Sequence, residues 1–230
     1  MERSEFILDG RRCLVWSHDA PVALLIEPID ERDLDFIGRE LDYLGEHADR
    51  PFALAAFLVG DWNAELSPWR ADPVFGKEAF GEGAGDLLRF VEEALIPELH
   101  SRIPALVQRE AILGGYSLAA LFALWATYTS RACSGVAAAS PSVWFPGWMD
   151  FVRGRRPEVE RIYLSLGDQE ARTRNRVMAR VGDCITEYAD ILSAQGVERT
   201  LEWNPGNHFR DADLRTAKAF LWCLTSEKNK

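Results

Sequence analysis

EAILGGYSLAALFALWATY, residues 110–128, joins two apolar runs of different period through a pair of glycines and a single serine. Glu110 to Leu113 is short, apolar and closed by glycine, as a buried strand is, whereas the run from Ser117 is long and apolar enough for a buried helix. A lone serine at such a junction has two readings: it caps the helix after a glycine turn, or it is a nucleophile. A hydroxyl attacks poorly until a base takes its proton and donors stabilise the oxyanion that forms. A nucleophile elbow supplies both, because the strand ends in a sharp turn, small residues flank the serine where backbones crowd, and a helix begins at once. Gly115, Tyr116, Ser117, Leu118 and Ala119 have this form, with alanine in the last small position. The amide of Leu118 then stands at a helix N-terminus, where negative charge is favoured.

Outward from the elbow, strand and helix patterns alternate. Two β-like runs flank Asp9-Gly10, a hairpin signal, and PVALLIEP follows without a long polar gap, so the chain opens with antiparallel strands. Leu34, Ile37, Leu41 and Leu44 recur at helical spacing, and RPFALAAFLVG reads as a buried central strand. Asp61 to Gly85 is rich in Gly, Pro and aromatics without either period, and loops of that length are functional when they are ordered. Leu88, Val91, Leu95 and Leu99 then mark a helix. After the elbow come strands SGVAAAS, RIYLSLG and RTLEWN, separated by helices, and DADLRTAKAFLWCL as a further helix. This order predicts one α/β domain, residues 1–230, with a mainly parallel sheet, antiparallel N-terminal strands and helices on both faces.

With 230 residues, 47% of them hydrophobic, the chain is long enough for one large core. Its formal charge of -10 opposes binding to nucleic acid or to anionic lipid. No basic segment followed by an apolar one opens the sequence, and no run approaches the ~18 apolar residues of a membrane span, so the expected setting is cytoplasmic with no membrane partner. Cys13, Cys133, Cys184 and Cys223 are far apart in mostly apolar surroundings and read as buried free thiols, implying neither zinc nor disulfides.

In an elbow fold the residues run Ser, acid, His along the chain. Of the four histidines only His208 follows Ser117, in WNPGNHFRD, a turn after a strand. The acid belongs after an intervening strand, where Asp168 and Glu170 follow the glycine of RIYLSLG. Either can orient an imidazole; reach favours Glu170, and both also suit the first turn of a helix.

GGYSLAALFALW, AAASPSVWF, YLSLGDQE and NPGNHF together resemble the esterase family of α/β-hydrolases that holds enterochelin esterases, S-formylglutathione hydrolases, feruloyl esterases and secreted mycolyltransferases. The resemblance spans Phe52 to the final helical pattern and implies an α/β-hydrolase fold, a Ser117–His208–acid triad with Glu170 as the acid, and an acyl-enzyme intermediate. It implies an oxyanion hole from the amides of Leu118 and Trp62, with Asn63 as the second candidate, and a substrate pocket shaped by Trp144. The expected function is hydrolysis of a small-molecule carboxylic ester without metal or organic cofactor. An acyltransferase with the same residues, or an idle binding protein of this fold, are the rivals. The sequence leaves the oligomeric state open.

Overall fold

The computed structural model describes residues 1–225; of the expected domain 1–230, residues 226–230 lie outside the described residues. Asp9 and Gly10, both at positive φ, close a two-residue hairpin between β1 (Glu2–Leu8) and β2 (Arg11–Ser17). There follow β3 (Ala23–Ile29), α1 (Ile37–His47), β4 (Phe52–Leu58) and the short α2 (Trp62–Glu65). Next, α3 (Ala84–Phe90) continues through a π-helical turn, Val91–Leu95, into α4 (Ile96–Arg102). The remainder alternates: β5 (Glu110–Tyr116), α5 (Leu118–Ala126), β6 (Gly135–Ala139), α6 (Trp148–Val152), β7 (Arg161–Gly167), α7 (Val181–Ala194), β8 (Glu198–Asn204) and α8 (Ala212–Leu224).

The strands form one sheet in the order β1-β2-β4-β3-β5-β6-β7-β8. β1, β2 and β4 pair antiparallel, and every pairing from β4 to β8 is parallel. Alternate residues of the central strands feed two cores. Leu24, Ile26, Ala53, Ala55, Val136 and Ala138 face α3 to α7, while Leu25, Leu54, Ala56 and Ala137 face α1 and α8. Among the described residues no helix is long and apolar enough to cross a membrane.

Three details differ from the sequence expectation. The third apolar run does not extend the opening antiparallel set: β3 lies between β4 and β5, parallel to both. Its seven residues are all buried, and a strand covered on both faces belongs in the parallel part of a sheet. The Asp61–Gly85 segment contains α2 and a bridge between Ala71 and Phe80, so it is folded back on itself. The Leu88–Leu99 helix widens at Val91–Leu95 directly before Pro97, which has no amide to give and whose ring would crowd the carbonyl four residues earlier in a regular helix.

β5 also runs three residues further than its apolar stretch suggests, through both glycines to Tyr116. A Cβ on Gly114 would lie 2.5 Å from the Phe220 ring and 2.9 Å from Ala137 Cβ, so glycine here lets α8 approach the sheet. Gly115 sits at φ +142°, where a Cβ would meet the Ala119 methyl at 2.8 Å. That methyl fills the space Gly115 leaves, which is how alanine serves in the last small position of the elbow. We expect Gly114→Ala to lose about 1–3 kcal/mol in urea unfolding, with part of the loss recovered when Phe220→Leu is added. An unchanged midpoint for Gly114→Ala would refute the close approach.

Candidate active site

Parallel strands deliver their C-terminal ends to one edge of a sheet, and β5, β7 and β8 bring three polar side chains there. Ser117 follows β5 at φ 58° and ψ -115°, a conformation costing a non-glycine residue roughly 1–3 kcal/mol. Three backbone hydrogen bonds hold it: its amide donates to Ala139 O at 3.1 Å, and its carbonyl accepts from the amides of Leu121 and Ser142, each at 3.1 Å. Ser117 occupies the N-cap position of α5 but its side chain makes no capping hydrogen bond. Its hydroxyl instead lies 3.0 Å from His208 Nε2 and 3.3 Å from Ser142 Oγ.

His208 Nδ1 lies 2.7 Å from Glu170 Oε2. The structure thus brings Ser117, His208 and Glu170 together, and Asp168 is occupied elsewhere. Asp168 Oδ1 accepts from the amide of Gly206 at 2.8 Å, and its own amide donates to Asn204 O at 2.8 Å, tying the turn after β7 to the turn that carries His208.

The side chain of Glu170 is almost fully buried, and its other oxygen, Oε1, accepts from Gly167 N at 2.7 Å, Ser140 Oγ at 2.8 Å and Arg215 Nη1 at 3.0 Å. Burial alone would raise its pKa, but the hydrogen bond and charge of His208, with the Gly167 amide and Ser140 hydroxyl, hold it below the ordinary carboxylate range. Folding therefore gains stability from this carboxylate above its unfolded pKa and loses it as pH falls through the lowered value.

Arg215 of α8, 2% exposed, was not distinguished by the sequence. Besides Glu170 it donates to Tyr116 Oη at 3.1 Å, Ser140 Oγ at 3.3 Å, and the carbonyls of Pro205 and Asn207, each at 3.1 Å. Tyr116, one residue before the nucleophile candidate, donates its hydroxyl to His208 O at 2.7 Å. Burial, then the charge of Glu170, push that phenol up to about 12, so it stays a donor. Ser140 and Ser142 lie in the quoted AAASPSVWF stretch and were legible there only as a strand end.

Ser117 and His208 open onto a cleft of about 750 Å³, whose wall includes Trp62, Asn63, Trp144 and Phe209. Trp144 is buried, with its ring edge-on to Phe75 and Phe80. Trp62 and Asn63 begin α2, held by the side chain of Asp61, which accepts from Ala64 N at 2.9 Å. The first amides of a helix have no acceptor within it, and Trp62 on α2 and Leu118 on α5 hold that position. Leu118 is buried behind Ser117 and does not line the cleft. Trp69, from the same long segment, lies away from the cleft with its indole on Pro146 O at 2.8 Å.

Solved structures share this arrangement of sheet and helices. An IroE-like serine hydrolase from Shewanella oneidensis matches with a TM-score of 0.79 at 16% identity, over 97% of this chain and 80% of that chain. The chain has the α/β-hydrolase fold. The siderophore hydrolase EstA from Aspergillus nidulans matches this hydrolase fold with a TM-score of 0.71 at 17% identity, over 97% of this chain and 93% of that one. Enterobactin hydrolase IroE in complex with DFP gives 0.70 at 16%, over 98% and 95%. No protein-family model and no curated protein matches the sequence. At these identities the likeness concerns the hydrolase fold, and the activity is argued from the site.

Replacing Arg215 leaves Glu170 buried with one charged donor fewer and frees two carbonyls of the His208 turn. We expect Arg215→Met to lose about 3–5 kcal/mol of stability, the usual cost of breaking a buried ion pair, and Arg215→Lys to restore less than half of it because an ammonium cannot reproduce the guanidinium fork. Denaturation midpoints within error of the parent would refute this role.

Proposed function

We propose that the protein is a serine esterase in which Ser117 is the nucleophile, His208 the general base and Glu170 the acid that orients it. The observation that carries this reading is the unbroken path from Ser117 Oγ through both nitrogens of His208 to Glu170, at 3.0 and 2.7 Å, on a strained turn beside an open cleft. His208 takes the hydroxyl proton as Ser117 Oγ attacks the ester carbonyl, and the resulting imidazolium is stabilised by Glu170. The tetrahedral oxyanion is held by the amides of Leu118 and Trp62, with Asn63 as second candidate for the latter. Collapse expels the alcohol, which receives the proton from His208 and leaves Ser117 acylated; water, activated by His208, then releases the acid. Trp144 shapes the pocket. None of these steps calls for a metal or an organic cofactor.

The names of the neighbours, serine hydrolase, siderophore hydrolase and enterobactin hydrolase, support an ester as substrate and make siderophore-type esters candidates. A single domain, residues 1–230, fits the one continuous sheet, and a cytoplasmic setting fits the four free thiols.

A fluorophosphonate probe is expected to label Ser117, mapped by peptide analysis, and Ser117→Ala to lose about 10^4-fold or more in hydrolysis of short-chain nitrophenyl esters. Turnover retained by the purified variant would end the proposal. The two acids separate by isosteric substitution. Glu170→Gln is expected to lower kcat by roughly 10^3- to 10^4-fold through loss of the correct tautomer and of imidazolium stabilisation. Asp168→Asn is expected to affect mainly stability, through its weakened bond to Gly206. The reverse ranking would transfer the role to Asp168.

A further inference from the structure

One wall of the cleft is built from the end of β3, the segment leading into α1, and the first turns of α1 and α8, and its charges do not balance. Arg32 is spent on Asp30, with Nε to Oδ2 at 2.9 Å. Arg39 reaches Asp213 at 3.2 Å and Asp211 at 3.6 Å. Asp33 accepts the amide of Asp30 at 2.9 Å. Two acids remain, Glu27 on β3 and Glu40 on α1. They are 3% and 4% exposed, they line the same cleft as Ser117 and His208, and Oε1 of each has no hydrogen-bond partner among the described residues.

A buried carboxyl oxygen without a donor is expensive. Burial pushes Glu27 up to about 8, with the charge of Asp33 adding to it, and raises Glu40 through burial and then the charges of Glu27, Asp213 and Asp33. A carboxyl raised in this way contributes stability below its unfolded pKa that is lost as pH rises through the folded value. Near neutral pH Glu27 therefore keeps its proton while the wall is empty, and a cation that brings its own donors favours the ionised form. No group of three or more His, Cys, Asp or Glu among the described residues is placed to hold a metal ion. The remaining surfaces agree: Phe36, Trp62, Trp144 and Phe209 line the cleft, and aromatic faces attract ammonium and guanidinium groups.

We propose that Glu27 and Glu40 form a subsite for an ammonium or guanidinium group, so that the preferred substrate is an ester carrying a positive charge on its acyl or alcohol part. The substrate class rests on the esterase reading above; the cation subsite does not.

Two measurements keep the two apart. In the first, kcat/KM is compared for p-nitrophenyl 6-aminohexanoate and 8-aminooctanoate against the length-matched neutral heptanoate and nonanoate, and against the anionic mono-p-nitrophenyl suberate. The ammonium esters are expected to be preferred by about 10- to 100-fold, the worth of one or two charge-assisted hydrogen bonds, and the anionic ester to be the poorest. Within Glu27→Gln and Glu40→Gln the ammonium-to-neutral ratio is expected to fall toward one, a readout that a general loss of activity does not move. In the second, binding of hexylammonium and of hexanol is followed by calorimetry on the intact protein, with no turnover required. Hexylammonium is expected to bind more tightly, with an advantage that grows from pH 6 to pH 9 as Glu27 ionises. Equal kcat/KM for ammonium and neutral esters with equal binding of the two hexyl probes would overturn the subsite and leave the esterase standing, Glu27 and Glu40 then being a proton-sharing pair that binds nothing. Tight hexylammonium binding with no turnover of any ester would uphold the subsite and overturn the esterase. Preference for the anionic ester would overturn the subsite outright.

Discussion

A carboxylate taken out of water must be surrounded by donors, and at Glu170 that requirement organises the whole sheet edge. Its donors arrive from four places: the Gly167 amide where β7 ends, Ser140 beyond β6, His208 beyond β8, and Arg215 from α8. Arg215 does not stop there. It also grips two carbonyls of the turn that carries His208 and the hydroxyl of Tyr116, which in turn donates to His208 O. The groups that compensate one buried charge therefore also fix the imidazole and the residue beside Ser117. Remove the charge and these elements lose their common reason to converge.

Two sets of buried acids stand in the same cleft region with opposite electrostatics. Glu170 has donors on both oxygens, and its pKa is lowered despite burial. Glu27 and Glu40 have burial without donors, and theirs are raised. Depth alone does not separate them, because all three side chains are nearly inaccessible. What separates them is the supply of N–H and O–H groups, which is generous at the ends of β6, β7 and β8, whereas on the wall between β3 and α1 none among the described residues reaches Oε1 of Glu27 or Glu40. The protein thus favours the charged form of one buried carboxylate and the neutral form of two others.

The elbow was legible because its small residues and the change of period fall within one short stretch. Gly114 and Gly115 are demanded by contacts to Phe220 and Ala119, and the apolar runs on either side show their elements directly. His208 followed from chain order, and the bounds of β7 from its glycine. The choice between Asp168 and Glu170 was not decidable locally, since it depends on where each carboxylate finds donors, and Asp168 finds its own in the amide of Gly206. Arg215 was missed for a similar reason: an arginine in a helix reads as solvated. The signal was nevertheless present, because Arg215, Ala219 and Cys223 recur every fourth residue along the buried stripe of α8. The parallel setting of β3 was also written in the apolar run of residues 22–26, which lacks the alternation of a half-exposed strand.

α8 has contacts that reach well beyond its own layer. It presses Phe220 against Gly114 beneath the elbow, sends Arg215 to the acid and carries Asp213 into the acidic wall. During synthesis the ribosome releases β5, β6, β7 and β8 before residues 212–224, so the strands can begin to pair while Glu170 still lacks its guanidinium and the His208 turn is unanchored. A nascent chain in that state has the Ser117 hydroxyl without a fixed imidazole beside it. The Ser117–His208–Glu170 geometry is therefore complete only once α8 has docked.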